Sequence, residues 1–476
     1  MQPRPWLVPT LAPLLALPLA LLLGIAMPAF AQLDPDSQRA YDRALRDWSQ
    51  AVGTTGYVYG APLLDSTIAE YRQSAALGRD LAGPRGVFAH AMGGRRATHE
   101  TAWTTAPDPD VLTSSAWLDI GHEPYVLRLP PLEGHWYRVC VTDAFGNLAG
   151  ALSSRSLGGG GGWYALATAD WPGPLPPGIA GELRSATPGV SVVVELAATS
   201  RDEHKVHERY QAKLKLLPLE VYRRSPAGAE FANAQPQSGA APAPRATEDM
   251  RGSLDAFRVI NQRLRQLGAV PREEALLTLF DGVGFGPGAV FRPADLPQPQ
   301  VEGLRSAARE GRRLLEDLRR DRPTRTGWNP LPAASAAPDY LKRALLGIPA
   351  PSADVLVLES HRDAEGRLLD GRRDYRIRFT PPPEQGFWSV AAYSAESARL
   401  LDTGTPRYSV ASPSGTSGNT SLEIWISSDA PEDPALRASW LPVRNEPFFL
   451  IARLRDPAPA ALDGSWAMPP VEPADL

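Results

Sequence analysis

Between residues 37 and 75 the apolar positions recur every three or four residues. Ala40, Tyr41, Ala44, Leu45, Trp48 and Val52 would share one helical face, with Ser37 as the cap. A glycine-punctuated patch from Gly53 to Gly60 interrupts the pattern, and Pro62 restarts it through Leu63, Ile68 and Tyr71. Two helices are expected, parted by an extended patch in which Tyr57 and Tyr59 flank Val58.

From Val87 to Leu196 the period falls to two. Tyr125, Leu127 and Leu129 alternate, Tyr137, Val139 and Val141 alternate against Trp136, Arg138 and Cys140, and Val192 to Leu196 is an apolar run. Short strands separated by glycine and proline predict an antiparallel sandwich. Helical spacing returns over 202–222, with Val206, Tyr210, Leu214 and Leu217 on one face. Residues 225–248, rich in Ala, Pro, Gly, Gln and Ser, carry too little apolar surface to pack and read as a linker.

Helices are predicted again over 249–347. Val301, Leu304, Ala308, Gly311, Leu315 and Leu318 form a stripe, followed by Arg319, Arg320 and Arg322 at the end where a helix dipole favours cations. After Asp354 alternation resumes in Tyr375, Ile377 and Phe379, in Phe387 to Tyr393, in Leu422, Ile424 and Ile426, and in Phe448 to Leu454. A second sandwich or jelly roll follows. The expected plan is α+β and multi-domain, with a leader at 1–31, a helical segment at 32–86, a β-sandwich at 87–201, a helical segment at 202–347 and a β-domain at 348–476.

The leader has a definite reading. Arg4 precedes an apolar run from Leu11 to Met27, and Ala29-Phe30-Ala31 gives the small-x-small pattern of a signal-peptidase site before Gln32. Export to the periplasm or beyond is expected, with no membrane attachment after cleavage. With Cys140 the lone cysteine, no intrachain disulfide can form, so burial must stabilise the exported chain. Cys140 itself reads as a small buried hydrophobe. A net charge of -4 without a basic stripe excludes nucleic acid as the expected partner.

Candidate chemistry gathers in the stretch from Pro107 to Tyr164. Asp110, Asp119 and Asp143 could offer oxygen ligands to a divalent cation such as Ca²⁺; alternatively, Asp110 and Asp143 cap turns. Arg155, beside the glycine run 158–162, could hold a carboxylate or phosphate, with Asn147 and Ser114 as further substrate-binding candidates. The alternative for Arg155 is a buried salt bridge to Asp143. Ser114-Ser115 lacks the Gly-x-Ser-x-Gly of a nucleophile elbow. His204 and His207 sit among charged residues and read as a solvated helix face. In the second half Trp388, Tyr393, Arg407, Tyr408 and Trp440 could line a sugar pocket, or they could be core.

Several motifs together resemble known families. Tyr57-Val58-Tyr59-Gly60-Ala61-Pro62, the run from Asp110 to Asp119, Asp143-Ala144-Phe145-Gly146-Asn147 and Arg155 resemble the bacterial domain-of-unknown-function family 1254. Leu369-Asp370-Gly371, Tyr375, Phe387-Trp388-Ser389, Arg407-Tyr408-Ser409, Trp440-Leu441-Pro442 and Gly464-Ser465-Trp466 resemble its usual C-terminal companion, family 1214. Asp108, Thr113 and Ala198-Thr199 depart from that pattern, which has Asn, Tyr and Arg-Thr there. The resemblance implies an immunoglobulin-like sandwich, a helical insert and a jelly-roll-like sandwich, and brings no settled reaction.

Two functional expectations result. One is a hydrolase of a small anionic or sugar-like ester, with Asp110 and Asp143 managing metal or water and Arg155 holding the anion. The other is a non-catalytic protein that binds a small ligand or carbohydrate, or builds the envelope, with oligomerisation left open.

Overall fold

In a computed structural model describing residues 34–76, 85–90, 98, 106–198, 201–226, 229, 232, 235–237, 245–267, 273–321, 324, 326–331, 340–345, 353–379, 386–412 and 422–474, the first helix is unbroken. The expected leader, and most of the expected linker at 225–248, lie outside these residues. Pro35–Ala76 is one helix of 42 residues, where two were expected. Asp34, rather than Ser37, caps it, its Oδ1 accepting from the backbone N–H groups of Asp36 at 3.0 Å and Ser37 at 3.1 Å. No helix among the described residues is long and apolar enough to cross a membrane.

The glycines do not break this helix because they are its contact points. A Cβ at Gly53 would lie 2.7 Å from the Ala307 Cβ, one at Gly56 would lie 2.2 Å from the Phe285 ring, and one at Gly60 would lie 2.5 Å from Ile260. The second long helix, Gln298–Arg320, replies in kind. A Cβ at its Gly303 would meet the Arg46 carbonyl oxygen at 2.3 Å, and one at Gly311 the Tyr57 ring at 2.6 Å. A glycine inside a helix costs about 1 kcal/mol relative to alanine. Here the close approach of two backbones, with Phe257, Phe280, Phe285 and Leu304 buried between the helices, offsets that cost. Helices from both expected helical segments therefore share a single core.

Each half of the chain also builds two sheets. In the first half a five-stranded antiparallel sheet has the order Ala89–His90, Val111–Asp119, Gly189–Ala197, Tyr137–Asp143, Leu148–Ser153. A four-stranded sheet, Ile179–Ser185, Gly162–Thr168, Tyr125–Leu129, Lys215–Pro218, packs on it around Leu118, Leu127, Val139 and Val192. The second half repeats the plan. A five-stranded sheet of order Trp328–Pro330, Val355–Ser360, Phe448–Arg455, Trp388–Ser394, Ser409–Ala411 shares a core with Trp440–Pro442, Leu422–Ser427, Tyr375–Phe379, Glu472–Pro473. We call the five-stranded members the inner sheets.

Three details differ from expectation. Both four-stranded sheets contain one parallel pair, 162–168 with 179–185 and 422–427 with 440–442. The helix expected over 202–222 is a helix at Arg201–Gln211, a strand at Lys215–Pro218 and a helix at Leu219–Arg224. Leu216 and Leu217 pair with Leu127 and Val126, and the sheet edge outweighs local helical spacing. His207 is fully buried and Val206 is exposed, the reverse of the expected face.

Gly303→Ala tests the helix crossing. Alanine there should cost about 1–3 kcal/mol in urea denaturation, as overpacking does. A midpoint that stays level or rises, as for an exposed helical glycine, would show that the two helices are not held this close.

Candidate functional site

Strand alternation sends Ser114 and Ser115 to opposite sides. Ser114 points into the first β unit, where its Oγ accepts from Gln211 Nε2 at 2.9 Å and lies 2.8 Å from His90 Nδ1. Ser115 points outward, donating to Gln73 Oε1 at 2.9 Å beside Trp117, whose Nε1 donates to the same oxygen at 3.0 Å. Cys140 is buried, and burial pushes its thiol up to about 11, as suits an inert packing group.

The three expected metal ligands do not converge. Asp119 and Asp143 lie at one end of the first inner sheet, and Asp110 precedes the far end of strand Val111–Asp119, about 26 Å away at 3.3 Å per residue. No group of three His, Cys, Asp or Glu among the described residues could hold a metal ion. Asp143 caps its own turn, Oδ1 accepting from the backbone N–H groups of Phe145 and Asn147, both at 2.9 Å, and Oδ2 from Asn147 Nδ2. Burial lifts its carboxyl above the usual range. Asp119 Oδ1 accepts from the Gly121 N–H at 3.0 Å.

The remaining candidates join the two β units or pack within them. Asp110 Oδ1 accepts from Ser409 Oγ at 2.6 Å, and Arg155 pairs with Asp354 at 2.8 Å instead of Asp143. Trp388 is core of the second unit, and Tyr408 packs on a neighbouring apolar cluster. Arg407 ties down the carbonyls of Arg437, Ala438 and Trp440.

Asp108, which none of the expectations placed in a site, is the centre of this junction. Its carboxylate bonds Arg455 and lies 3.7 Å from Arg453; the Asp108 side chain is 8% exposed and that of Arg455 1%. Arg453 also donates to Tyr393 Oη at 2.8 Å and to the Ala106 carbonyl at 2.7 Å, while Tyr393 Oη donates to the Pro107 carbonyl at 2.6 Å. The Arg455 guanidinium lies 4.1 Å from the Phe387 ring centre. Burial alone would raise the Asp108 carboxyl, but Arg455 and then Arg453 reverse this and hold it below the usual range.

Beyond this junction the outward faces of the inner sheets diverge. Val111, Trp136 and Ala197 pack on Val355 and Phe387 at the closed end. A cavity of about 530 Å³ then opens, walled by both inner sheets and both long helices. The first inner sheet contributes Ser115, Trp117, Val193 and the buried pair Arg138–Glu195, 2.6 Å apart. The second contributes Val357, Glu359, His361, Phe449 and Ile451, and the helices add Ile68, Ala69, Leu315 and Arg319. Tyr393, Phe449 and His361 stack in a row, with ring centres 5.4 and 4.8 Å apart. Glu359 is buried; the neighbouring His361, then Arg319 and Arg453, outweigh that burial and keep its carboxyl below the usual range.

The sequence held a signal for part of this wall. Charged or polar groups at alternate positions along and just beyond an apolar strand, Glu359 and His361 at one, Arg453 and Arg455 in another, mark a polar face. Arg319 carried no such sign, since the end of a helix is an ordinary place for a cation.

With this geometry in hand, residues 87–218 match the family described as protein of unknown function (DUF1254), and residues 354–459 that described as protein of unknown function (DUF1214). The chain joins a DUF1254 region to a DUF1214 region. Among solved structures it resembles the VPA0106 protein of Vibrio parahaemolyticus, 20% identical over 90% of this chain and 100% of that one, at a TM-score of 0.60. An uncharacterised protein of Burkholderia cenocepacia is 14% identical over 94% of this chain and 91% of that one, at 0.45. No curated protein matches the chain. The first likeness shows a shared fold of mixed helices and several sheets. The cavity therefore lies where the DUF1254 and DUF1214 regions face each other.

Asp108→Asn tests the junction. Leaving two buried guanidiniums uncompensated should cost about 3–5 kcal/mol at pH 7. Because the folded carboxyl is depressed, its contribution is present above the unfolded value of about 3.9 and lost as pH falls through the lower folded value. The deficit of the variant in urea should thus shrink below about pH 4. A deficit constant down to pH 2 would contradict the assignment.

Proposed function

We propose that this chain binds a small organic molecule in the cavity between its inner sheets, and does so outside the cytoplasm. The observation that carries the reading is the cavity itself. Its volume of about 530 Å³ falls within the range of roughly 300–1,000 Å³ typical of ligand pockets. Its walls combine apolar side chains with many charged ones, most of them paired with each other, so that an organic body can be buried while a polar end is oriented.

Hydrolysis of a small ester is the weaker reading. General acid–base work needs its groups within hydrogen-bond reach of one reacting centre, and Asp110 and Asp143 are at opposite ends of a sheet. Export rests on the apolar run and cleavage pattern of residues 1–31. Within the same proposal, the sheet pair of the DUF1254 region is immunoglobulin-like and that of the DUF1214 region jelly-roll-like. The shared core within each pair supports this.

The test is thermal unfolding of the exported protein, its start near Gln32 checked by intact mass, against a panel of fatty and aromatic acids, amides and sugars. A ligand at about 100 times its Kd adds about 2.7 kcal/mol and raises the midpoint measurably. Ala69→Phe, which adds bulk to the helical wall, should fold and lose that rise. A panel that shifts nothing, with no uptake of a neutral fluorescent probe such as N-phenyl-1-naphthylamine, would sink the binding reading. A mass that retains Met1 would sink export.

A further inference from the structure

We infer that the ligand is a monocarboxylic acid with an apolar body, its carboxylate received by Arg319 and His361 at the end of the cavity away from Asp108. The inference rests on the cavity being the ligand site and says which chemistry that site selects.

The charges around the cavity are nearly all spent on one another. Its described lining residues include eight arginines and seven carboxylates, which leaves one positive charge. Arg138 is matched by Glu195, Arg455 and Arg453 by Asp108, Arg72 by Glu248 and Arg312 by Glu316. Arg319 is different. No carboxylate among the described residues lies within ion-pair distance of it, and its Nη2 donates only to the Leu345 carbonyl at 3.2 Å. Its Nε is buried without a hydrogen-bond partner among the described residues. A charged donor left in that state is costly unless something else accepts from it.

A second unused donor site lies close by. His361 Nε2 is also buried without a hydrogen-bond partner among the described residues, being 3.7 Å from Glu359 Oε2, too far for a bond. The imidazole cannot easily swing to shorten that gap. Its ring stacks on Phe449 at an interplanar angle of 15°. Arg319 and Glu359 line one small recess together, and His361 Nε2 is 3.7 Å from Glu359, so both residues neighbour Glu359 on the cavity wall.

A carboxylate fits that spot better than a phosphate dianion. The wall has a single positive charge in excess, and the resident carboxylate of Glu359 would repel a second negative charge on the ligand. From there the wall becomes apolar through Phe449, Ile451, Val357 and Leu315, where an alkyl or aryl body can lie. At the far end the charged groups are already paired, so that end offers no rival anchor.

The experiment is displacement of N-phenyl-1-naphthylamine from the mature full-length protein by octanoate, by octanamide and by inorganic phosphate. Octanoate should bind at least tenfold more tightly than octanamide. Arg319→Gln and His361→Gln should each reduce that ratio to about threefold or less, octanoate losing more affinity than octanamide. Circular dichroism confirms the fold, and Arg319→Lys, which keeps the charge but moves the donor, should give the same loss if Arg319→Gln proves unstable. If acid and amide bind equally to the wild type, the cavity binds ligands but the carboxylate assignment is overturned. If phosphate displaces the probe as well as octanoate, the site is for a free anion and the acid class is overturned. If neither probe nor octanamide binds, the cavity reading itself falls.

Discussion

A carboxylate withdrawn from water must find positive charge, and Asp108 finds it nearly 350 residues away on a different β unit. That requirement fixes how the two halves of the chain meet. Arg455 and Arg453 are themselves buried, so each of the three groups depends on the others to be tolerated inside. Tyr393 and the carbonyls of Ala106 and Pro107 then complete the polar atoms of the same seam. Because the closed end of the gap is pinned in this way, the divergence of the inner sheets beyond it becomes a defined space instead of a loose domain boundary.

The helices give that space its remaining walls. Glycines at the crossing of Pro35–Ala76 and Gln298–Arg320 allow the two backbones to approach, which brings Arg319 to the cavity alongside Ile68 and Ala69. The arrangement links packing to chemistry. A residue that in sequence looks like a helix-terminal cation becomes the least compensated charge at a buried site.

Much of the plan was legible in the chain. Period-two alternation and apolar runs located the longer central strands, including 125–129, 137–143 and 448–455, though not the short edge strands, and helical spacing located Gln298–Arg320. Motifs such as Asp110 to Asp119 and Phe387-Trp388-Ser389 pointed to the two families that the chain matches. What failed was anything that depended on a distant partner. Arg155 looked like a ligand clamp because Asp354, 199 positions later, is invisible to local reading, and Asp110 looked like a metal ligand because Ser409 is 299 positions away. Gly53, Gly56 and Gly60 looked like breaks because glycine has the same local signature whether it ends a helix or lets another approach. His207 was misplaced since a polar residue buried against His135, with its ring held down to about 4 by burial and that neighbour, gives no periodic signal.

The central claim is that the ionic seam and the glycine crossing fuse both β units and the helices into one cooperative body around the cavity. Scanning calorimetry of the protein tests it most directly. The account predicts a single endotherm whose calorimetric enthalpy equals the van't Hoff enthalpy. Two separate transitions in the wild type, one for each β unit, would contradict it.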